Sequence, residues 1–356
     1  MSGQYRHPFA SRLFSACCLL AISIAFTACD DDDDKGDDTS YDFSAILTNT
    51  VNNVIITTYE ELAVNAAQLH ADIVQTSDKN AMLNAAAANW IDARAPWESS
   101  ESFLFGPAEF LSLDPSLDSW PVDRNQLDNV LASNTELTPE NVANGLSPAL
   151  RGFHTIEYLI FRDGLLRNSA DMTDREFEYL TAAAAVLKDD AALLAQSWKD
   201  GYGAEFINAG QSGSRFLSQN DAVLELIEGI IGICDEVANG KIADPYDNDD
   251  KELVESQFSF NSLKDFANNI RSVQNIYLGT RQNGASNSGL HIWVADQNAA
   301  LDARIQMEIA AAIAAIQAIP EPFRNNLDKS AAIETAQEAI NTIATSFEED
   351  VKSLLN

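Results

Sequence analysis

Apolar side chains return every three or four positions along most of this chain. Phe43, Ile46, Leu47, Val51, Val54, Ile55, Tyr59, Leu62, Leu69 and Ile73 follow the 3.6-residue period and predict an amphipathic helical run from 43 to 73. The same pattern predicts helices over 80–94, 122–132, 173–198, 220–237, 262–278, 290–319 and 328–355. The first of these is expected to stop at Pro96, which has no N–H to give to a helix ladder. Ser147-Pro148 reads as an N-cap and first helical residue, opening a helix through the apolar run Leu150–Phe161. Gly229 and Gly232 would let a neighbouring element come close. No segment alternates with period two, so the expected fold class is all-α. Loops are expected at 105–118, 201–214, 239–251 and 279–288. Helices of these lengths suit up-down bundles, and nine in one bundle would be crowded. Two packed bundles are expected, 41–165 and 166–356, with 239–256 as an alternative boundary.

The first residues change the picture of where the protein works. Arg6 and Arg12 precede an apolar stretch from Leu13 to Phe26, a charged n-region and an h-region too short to span a bilayer comfortably. Thr27-Ala28-Cys29 then resembles a bacterial lipobox, with Phe26 where Leu is usual. The expectation is a signal peptide over 1–28, cleavage before Cys29 and lipidation of that residue; ordinary signal-peptide cleavage nearby is the alternative. Several acyl chains anchor firmly, at about 0.8 kcal/mol per buried methylene. Asp30–Asp34, Lys35, Gly36, Asp37 and Asp38 form an acidic run that stays solvated, so 29–40 reads as a tether. Such a run after a lipid cysteine resembles the surface-export signal of Bacteroidetes-type lipoproteins. That implies display on the outer face of the outer membrane; facing the periplasm is the alternative.

Charge then narrows the partners. The chain of 356 residues has 22 Lys and Arg against 54 Asp and Glu. Loss of the leader removes two arginines and no acid. Nucleic acid and anionic lipid surfaces are poor partners for such a chain, while a cationic ligand is compatible with it. Only Cys234 remains after leader removal and lipidation, so no internal disulfide is available and the core must hold the fold.

Gly152, His154 and Glu157 form G-x-H-x-x-E inside the run Leu150–Phe161. Residues three apart share a helix face, so His154 and Glu157 project together beside the stripe Leu150, Phe153, Ile156 and Ile160. They are expected to be at least half buried, and a buried carboxylate needs a partner. The pair could simply bridge helices. It could also ligate a metal, work as acid and base, or hold a small polar guest. The zinc motifs H-E-x-x-H and H-x-x-E-H are absent, since Tyr158 stands where the latter needs His. A three-histidine site would need His70, His154 and His291 together, which their spacing does not support.

A second segment, Trp90 to Pro107, packs Trp, Arg and acid around a helix break. Arg94, Pro96-Trp97-Glu98, Glu101, Phe103 and Phe105-Gly106-Pro107 resemble the R-x-x-W-E-x-x-E-x-F-x-x-G-P segment of the imelysin family. Gly152 to Phe161 resembles that family's signature motif. Ser259 to Ile270 with Asn275 to Gly279, and Ala310 to Pro322 with Phe323, are similar to its later blocks. The resemblance spans 43–356. It implies a two-bundle all-helical fold with the signature site at the domain interface. It also implies secreted or lipid-anchored proteins tied to iron, and a peptidase label.

No Ser/His/Asp constellation or standard zinc motif accompanies that label, so binding ranks above catalysis. The first expectation is a surface or periplasmic lipoprotein that binds iron, another metal ion or a metal-bearing ligand, with a role in iron uptake and with protein partners there. His154 and Glu157 would be ligands, Glu98 and Glu101 supplementary ones, and Arg94 a charge balancer. Trp97 and Gly152 complete the near side of that site. Asp265, Asn269 and Tyr277 would come from the second bundle; Asp265 and Asn269 are four apart on one face. The alternatives are a metal-dependent peptidase with His154 and Glu157 as catalytic residues, and a non-catalytic scaffold or glycan binder.

Overall fold

The computed structural model describes residues 41–355. The leader, Cys29 and the acidic tether lie outside the described residues. α1 (Ser44–Asn49) and α2 (Ile56–Gln75) are joined by a π-helical turn, Thr50–Ile55, and together form the expected first run. Its stripe is buried: Val51, Val54, Ile55, Tyr59, Leu62 and Leu69 are all inaccessible to solvent. Burying each such aliphatic side chain contributes about 1.5–3 kcal/mol.

α3 (Lys79–Glu98) starts where the Asp78 side chain accepts from the Ala81 N–H. It does not stop at Pro96 but runs through it to Glu98. Proline leaves the carbonyl four residues back without its usual donor. That carbonyl, on Asp92, is taken by the Asn65 side-chain amide of α2 at 2.7 Å. The neighbouring helix therefore supplies what the sequence pattern within α3 lacks, and the extra turn carries Trp97 and Glu98 into the interior.

α4 (Pro107–Phe110) and α5 (Asp114–Asp118) are short helices inside the stretch read as a loop. α6 (Arg124–Ala132) and α7 (Pro139–Gly145) follow. α8 (Gly152–Ile160) begins later than Ser147 predicts, because Pro148–Leu150 is a separate 3-10 turn. Arg151 is extended and Gly152 has φ +79, which breaks the chain direction before the helix. A two-residue antiparallel pair, Phe161–Arg162 with Leu165–Leu166, turns the chain; it is too short for period two to show. α9 (Asp174–Ser197) opens on a capping box between Thr173 and Glu176, and a π turn leads to α10 (Gly203–Ile207). α11 (Gln219–Glu236) has its own capping box at Ser218 and Asp221. The π turn Val237–Ile242 continues it into α12 (Ala243–Asn248). α13 (Ser262–Leu278), α14 (Leu290–Gln317), bent at Asn298, and α15 (Ser330–Thr345) complete the all-α fold.

α2 packs on α3 and α9, and α8 also lies on α9. The buried run Ala182 to Ala185 on α9 lets these helices approach. α11, α13, α14 and α15 pack on one another. Between the two groups, α3 and the turn Glu101–Phe103 lie against α13 and α11. Gly229 makes one close approach possible, since a Cβ there would stand 2.1 Å from the Ser102 carbonyl oxygen. Gly232 meets nothing within 4 Å, so its predicted role is not realised. Ser102 N–H donates to Ser272 Oγ at 3.0 Å along the same seam. No described helix is long and apolar enough to cross a membrane.

Candidate functional site

Arg94 sits one turn before the end of α3 with its side chain fully buried. Its guanidinium is held by carboxylates from several elements: Glu98 Oε1 at 2.6 Å, Glu255 Oε1 at 3.0 Å, Asp265 Oδ2 at 3.7 Å, and Asp118 in close contact. A planar fork with five donors suits such a hub. Trp97, one turn along the same helix face, donates its indole N–H to Asp118 Oδ2 at 2.6 Å. Asp118, at the end of α5, is thereby fixed by two residues of α3.

Gly152 explains why α8 presents His154 to Asp118. A Cβ on Gly152 would stand 2.3 Å from the Leu117 carbonyl oxygen, one residue before Asp118, and its positive φ suits glycine. With that contact made, His154 Nε2 lies 3.0 Å from Asp118 Oδ1 and its Nδ1 lies 3.1 Å from Glu157 Oε2. Burial and Arg94 disfavour charge on the imidazole. Asp118 and Glu157 outweigh them and raise its pKa well above the usual value. Glu157 is satisfied from the other half of the chain as well. Its Oε1 accepts from Phe258 N–H at 3.0 Å, Ser259 N–H at 2.8 Å and Ser259 Oγ at 2.7 Å.

The opposite side of the cluster is different. Glu98 and Glu101 face Lys241, whose Nζ also lies 3.3 Å from Glu255 Oε1. Asn269 Nδ2 donates to Glu98 Oε2 at 2.6 Å. Asp265 accepts from Ser256 Oγ and Asn261 Nδ2. Six carboxylates, on Glu98, Glu101, Asp118, Glu157, Glu255 and Asp265, thus share Arg94, Lys241 and His154 as their cations. Burial pushes the carboxyls of Glu98 and Glu101 well above the usual range, against the pull of Lys241 on both and of Arg94 on Glu98. It pushes Asp265 up to about 6 despite Arg94. Burial would raise Asp118 too, but Arg94 and His154 hold it below the usual carboxylate range. Burial at Glu255 is likewise outweighed, by Lys241, His154 and Arg94, and its pKa is about 2. Glu98, Glu101 and Asp265 therefore hold a proton to higher pH than free carboxyls, and an added cation would favour their ionised forms.

Two groupings have the donor chemistry for a metal ion. Asp118, His154 and Glu255 offer ligand atoms within 4.8 Å of one another, and so do Glu98, Glu101 and Asp118. Nitrogen and carboxylate oxygen donors suit zinc, iron and manganese. Glu255 Oε2 and Asn269 Oδ1 are buried without a hydrogen-bond partner, the state of a site that another ligand would complete.

Arg94, Trp97, Glu98, Glu101, Gly152, His154, Glu157, Asp265 and Asn269 are gathered as the sequence suggests. Tyr277 is not. Its hydroxyl donates to Asp302 at 2.9 Å, and its ring packs edge-on against His291 and Phe347. It is two turns beyond Asn269, which carries it away along α13. His70 and His291 stand elsewhere: His291 Nε2 lies 2.8 Å from the Ser286 carbonyl, and His70 lines a surface cleft with Lys79 and Arg175. His154 is only 1% exposed, so it opens into close packing rather than an open cleft. From the later part of the chain, Glu255, in the coil before α13, nonetheless lies 3.9 Å from its Nε2. Asp118, Lys241 and Glu255 were missed by sequence reasoning. They come from a loop helix, a π turn and a coil, where no periodicity marks a buried charge.

Residues 55–349 match the sequence model of the imelysin family. Iron-regulated protein A of Synechococcus elongatus is 30% identical over 326 residues, covering 87% of this chain and 88% of that protein. The crystal structure of a protein described as an iron-regulated protein A precursor, from Parabacteroides distasonis, superposes with a TM-score of 0.82 at 31% identity. It covers 88% of this chain and 95% of its own. An imelysin-like protein from Psychrobacter arcticum gives 0.71 at 15% identity over 88% and 95%, a likeness of fold alone.

Proposed function

The chain belongs to the imelysin family, and we propose that it binds a metal cation in the buried cluster around His154, with iron the first candidate. The observation that carries this is the convergence of Asp118, His154 and Glu255 within 4.8 Å in a cluster short of positive charge. Iron enters through the name of the cyanobacterial relative, iron-regulated protein A.

Asp118 and Glu255 would supply oxygen ligands and His154 its Nε2, with Glu98 and Glu101 forming the adjoining group. A bound metal would supply a fixed positive charge among carboxylates that burial otherwise disfavours in ionised form. Glu157 takes a different part from the one the sequence suggests. Its contact with Nδ1 orients the ring, as outer carboxylates do for metal-bound histidines, and Nε2, which now faces Asp118 Oδ1 at 3.0 Å, would ligate once a metal ion displaces its proton. Arg94 anchors Asp118 and Glu255. No observation favours the peptidase alternative: Glu157, which would serve as base, already accepts three donors from Phe258 and Ser259.

Lipid anchoring at Cys29, display at the outer membrane and a role in iron uptake with protein partners belong to the same proposal. They are supported by the lipobox, the acidic run and the relative's name. Mass spectrometry of the membrane-extracted protein would show a diacyl or triacyl adduct on Cys29, and Cys29→Ala would abolish it. For the metal, adding ferrous ion anaerobically to metal-free protein is expected to raise Tm. At 100 times Kd the gain is about 2.7 kcal/mol. His154→Ala should abolish the rise while leaving the chain folded. An unchanged Tm in the parent, with no metal found by elemental analysis, would overturn the reading.

A further inference from the structure

Lys241 has no counterpart in the sequence motifs, and its surroundings are unusual. It comes from the π turn Val237–Ile242 that extends α11, a kind of turn often found at functional sites. Its side chain is 9% exposed. Its Nζ lies 3.3 Å from Glu255 Oε1, 3.7 Å from Glu236 Oε1, 3.8 Å from Glu101 Oε1 and 3.9 Å from Glu98 Oε2. Charge-assisted hydrogen bonds run at about 2.7–2.9 Å. All four oxygens stand further off than that, so the ammonium sits in a cage wider than itself and is held by charge rather than by fixed bonds.

The four carboxylates are not equivalent. The side chains of Glu98, Glu101 and Glu255 are 0–4% exposed, whereas that of Glu236 is 57% exposed. Lys241 therefore reaches from an acceptor at the surface to three in the interior. Glu255 Oε1 is claimed at once by Lys241 and by Arg94, and His154 Nε2 lies 3.9 Å away. Arg94 cannot readily leave, because Asp118, Glu98 and Asp265 hold it too. Lys241 can, along a flexible four-carbon stem. The partnerless Glu255 Oε2 and Asn269 Oδ1 lie among these same groups.

We propose that Lys241 is a tethered competitor for the cation site. With its ammonium beside Glu255, Glu98 and Glu101 it supplies the positive charge of the metal site and its adjoining group, and when a divalent ion takes Asp118, His154 and Glu255 the ammonium moves out onto Glu236. This deepens the metal-binding reading and rests on it. Lys241 then sets both affinity and charge selectivity. A monovalent ion brings no more charge than the ammonium it must displace, while a divalent ion brings twice as much to the same oxygens.

The test uses Mn²⁺ as the probe, with the free ion measured by electron paramagnetic resonance during titration of metal-free full-length protein. Lys241→Gln should tighten Mn²⁺ binding about tenfold, which is about 1.4 kcal/mol. Lys241→Arg keeps the charge and should not tighten it. Glu236→Gln removes the exit and should weaken binding about threefold, with Tm of the metal-free protein unchanged. Once Lys241→Gln has removed the ammonium, adding Glu236→Gln should change Mn²⁺ affinity no further, a coupling that mere loss of a nearby charge would not produce. If Lys241→Gln binds Mn²⁺ no tighter than the parent while His154→Ala abolishes binding, the competitor role is wrong and the metal centre stands. If neither the parent nor Lys241→Gln binds Mn²⁺, both fall. Should Lys241→Gln fail to fold, an unchanged affinity in Glu236→Gln, an exposed and tolerant position, overturns the proposal by itself.

Discussion

The two faces of the His154 cluster hold carboxylates in opposite ways. On one face Glu157 accepts from two backbone N–H groups, a serine hydroxyl and the imidazole. It is satisfied by three fixed dipoles and the ring of His154, and needs no further partner. On the other face Glu98, Glu101 and Glu255 share one loosely held ammonium and part of one guanidinium. Satisfaction by donors fixed in the backbone and in one ring makes a rigid support. Satisfaction by shared cations leaves a place that another cation can take. The first face orients and the second receives.

The largest effect on that contrast should come from Arg94→Ala. It strips the shared cation from Asp118, Glu98, Glu255 and Asp265 while leaving them buried. Breaking a buried pair of this kind costs about 3–5 kcal/mol, read as a fall in the urea midpoint at constant m. If the midpoint hardly moved, the carboxylates would have to be reaching water by another route.

Glu157→Gln tests the orienting face. Its oxygen can still accept from Phe258 and Ser259, but its amide now faces His154 as a donor. A cost of about 1–3 kcal/mol is expected in the metal-free protein. Metal affinity should fall about 10-fold to 100-fold through loss of the supported ring orientation. An unchanged affinity would make Glu157 a structural residue only.

The receiving face should show itself in pH. Asp265, and Asp114 likewise, are pushed by burial to about 6, with Glu98 and Glu101 also raised. Unfolded carboxyls ionise near about 4, so the folded protein binds more protons above that point. Their contribution is therefore full below about pH 4 and is lost as pH rises through 6. Glu255, held at about 2, works the other way: its contribution is present above about pH 4 and is lost as pH falls through 2. Metal-free protein should thus lose Tm between pH 5 and pH 8. Asp265→Asn should shrink the difference and bound metal should shrink it further. A Tm profile flat over that range in chelator would contradict the charge balance drawn for the cluster.

Tyr277→Phe should have the smallest effect. It removes only the bond to Asp302, about 0.5–1.5 kcal/mol, and should leave metal binding untouched. Weakened binding would return Tyr277 to the site from which its geometry removes it.

Much of this was legible beforehand because helices advertise themselves. The stripes on α2, α9, α11 and α13 repeat every three or four residues and mark both the element and its buried face. Misplaced boundaries have local causes. Pro96 stays inside α3 because Asn65, on another helix, serves the Asp92 carbonyl. α8 starts at Gly152 because its chain must pass over Leu117. Neither partner can be seen in the segment whose boundary it moves. Half of the site was legible for the same reason: His154 with Glu157, Arg94 with Glu98, and Asp265 with Asn269 are pairs at helical spacing.

The sequence by itself determined the all-α class, the family and the helix faces on which these polar pairs stand, because helical periodicity and short motifs are local properties. Only the tertiary structure decided that Asp118, Lys241 and Glu255 complete the cluster, that Tyr277 does not, and that Glu157 braces the histidine while Glu255 faces the cations. Those outcomes depend on which distant segments meet at the seam between α3, α8 and α13. Long-range electrostatic balance among buried groups leaves no period in a sequence.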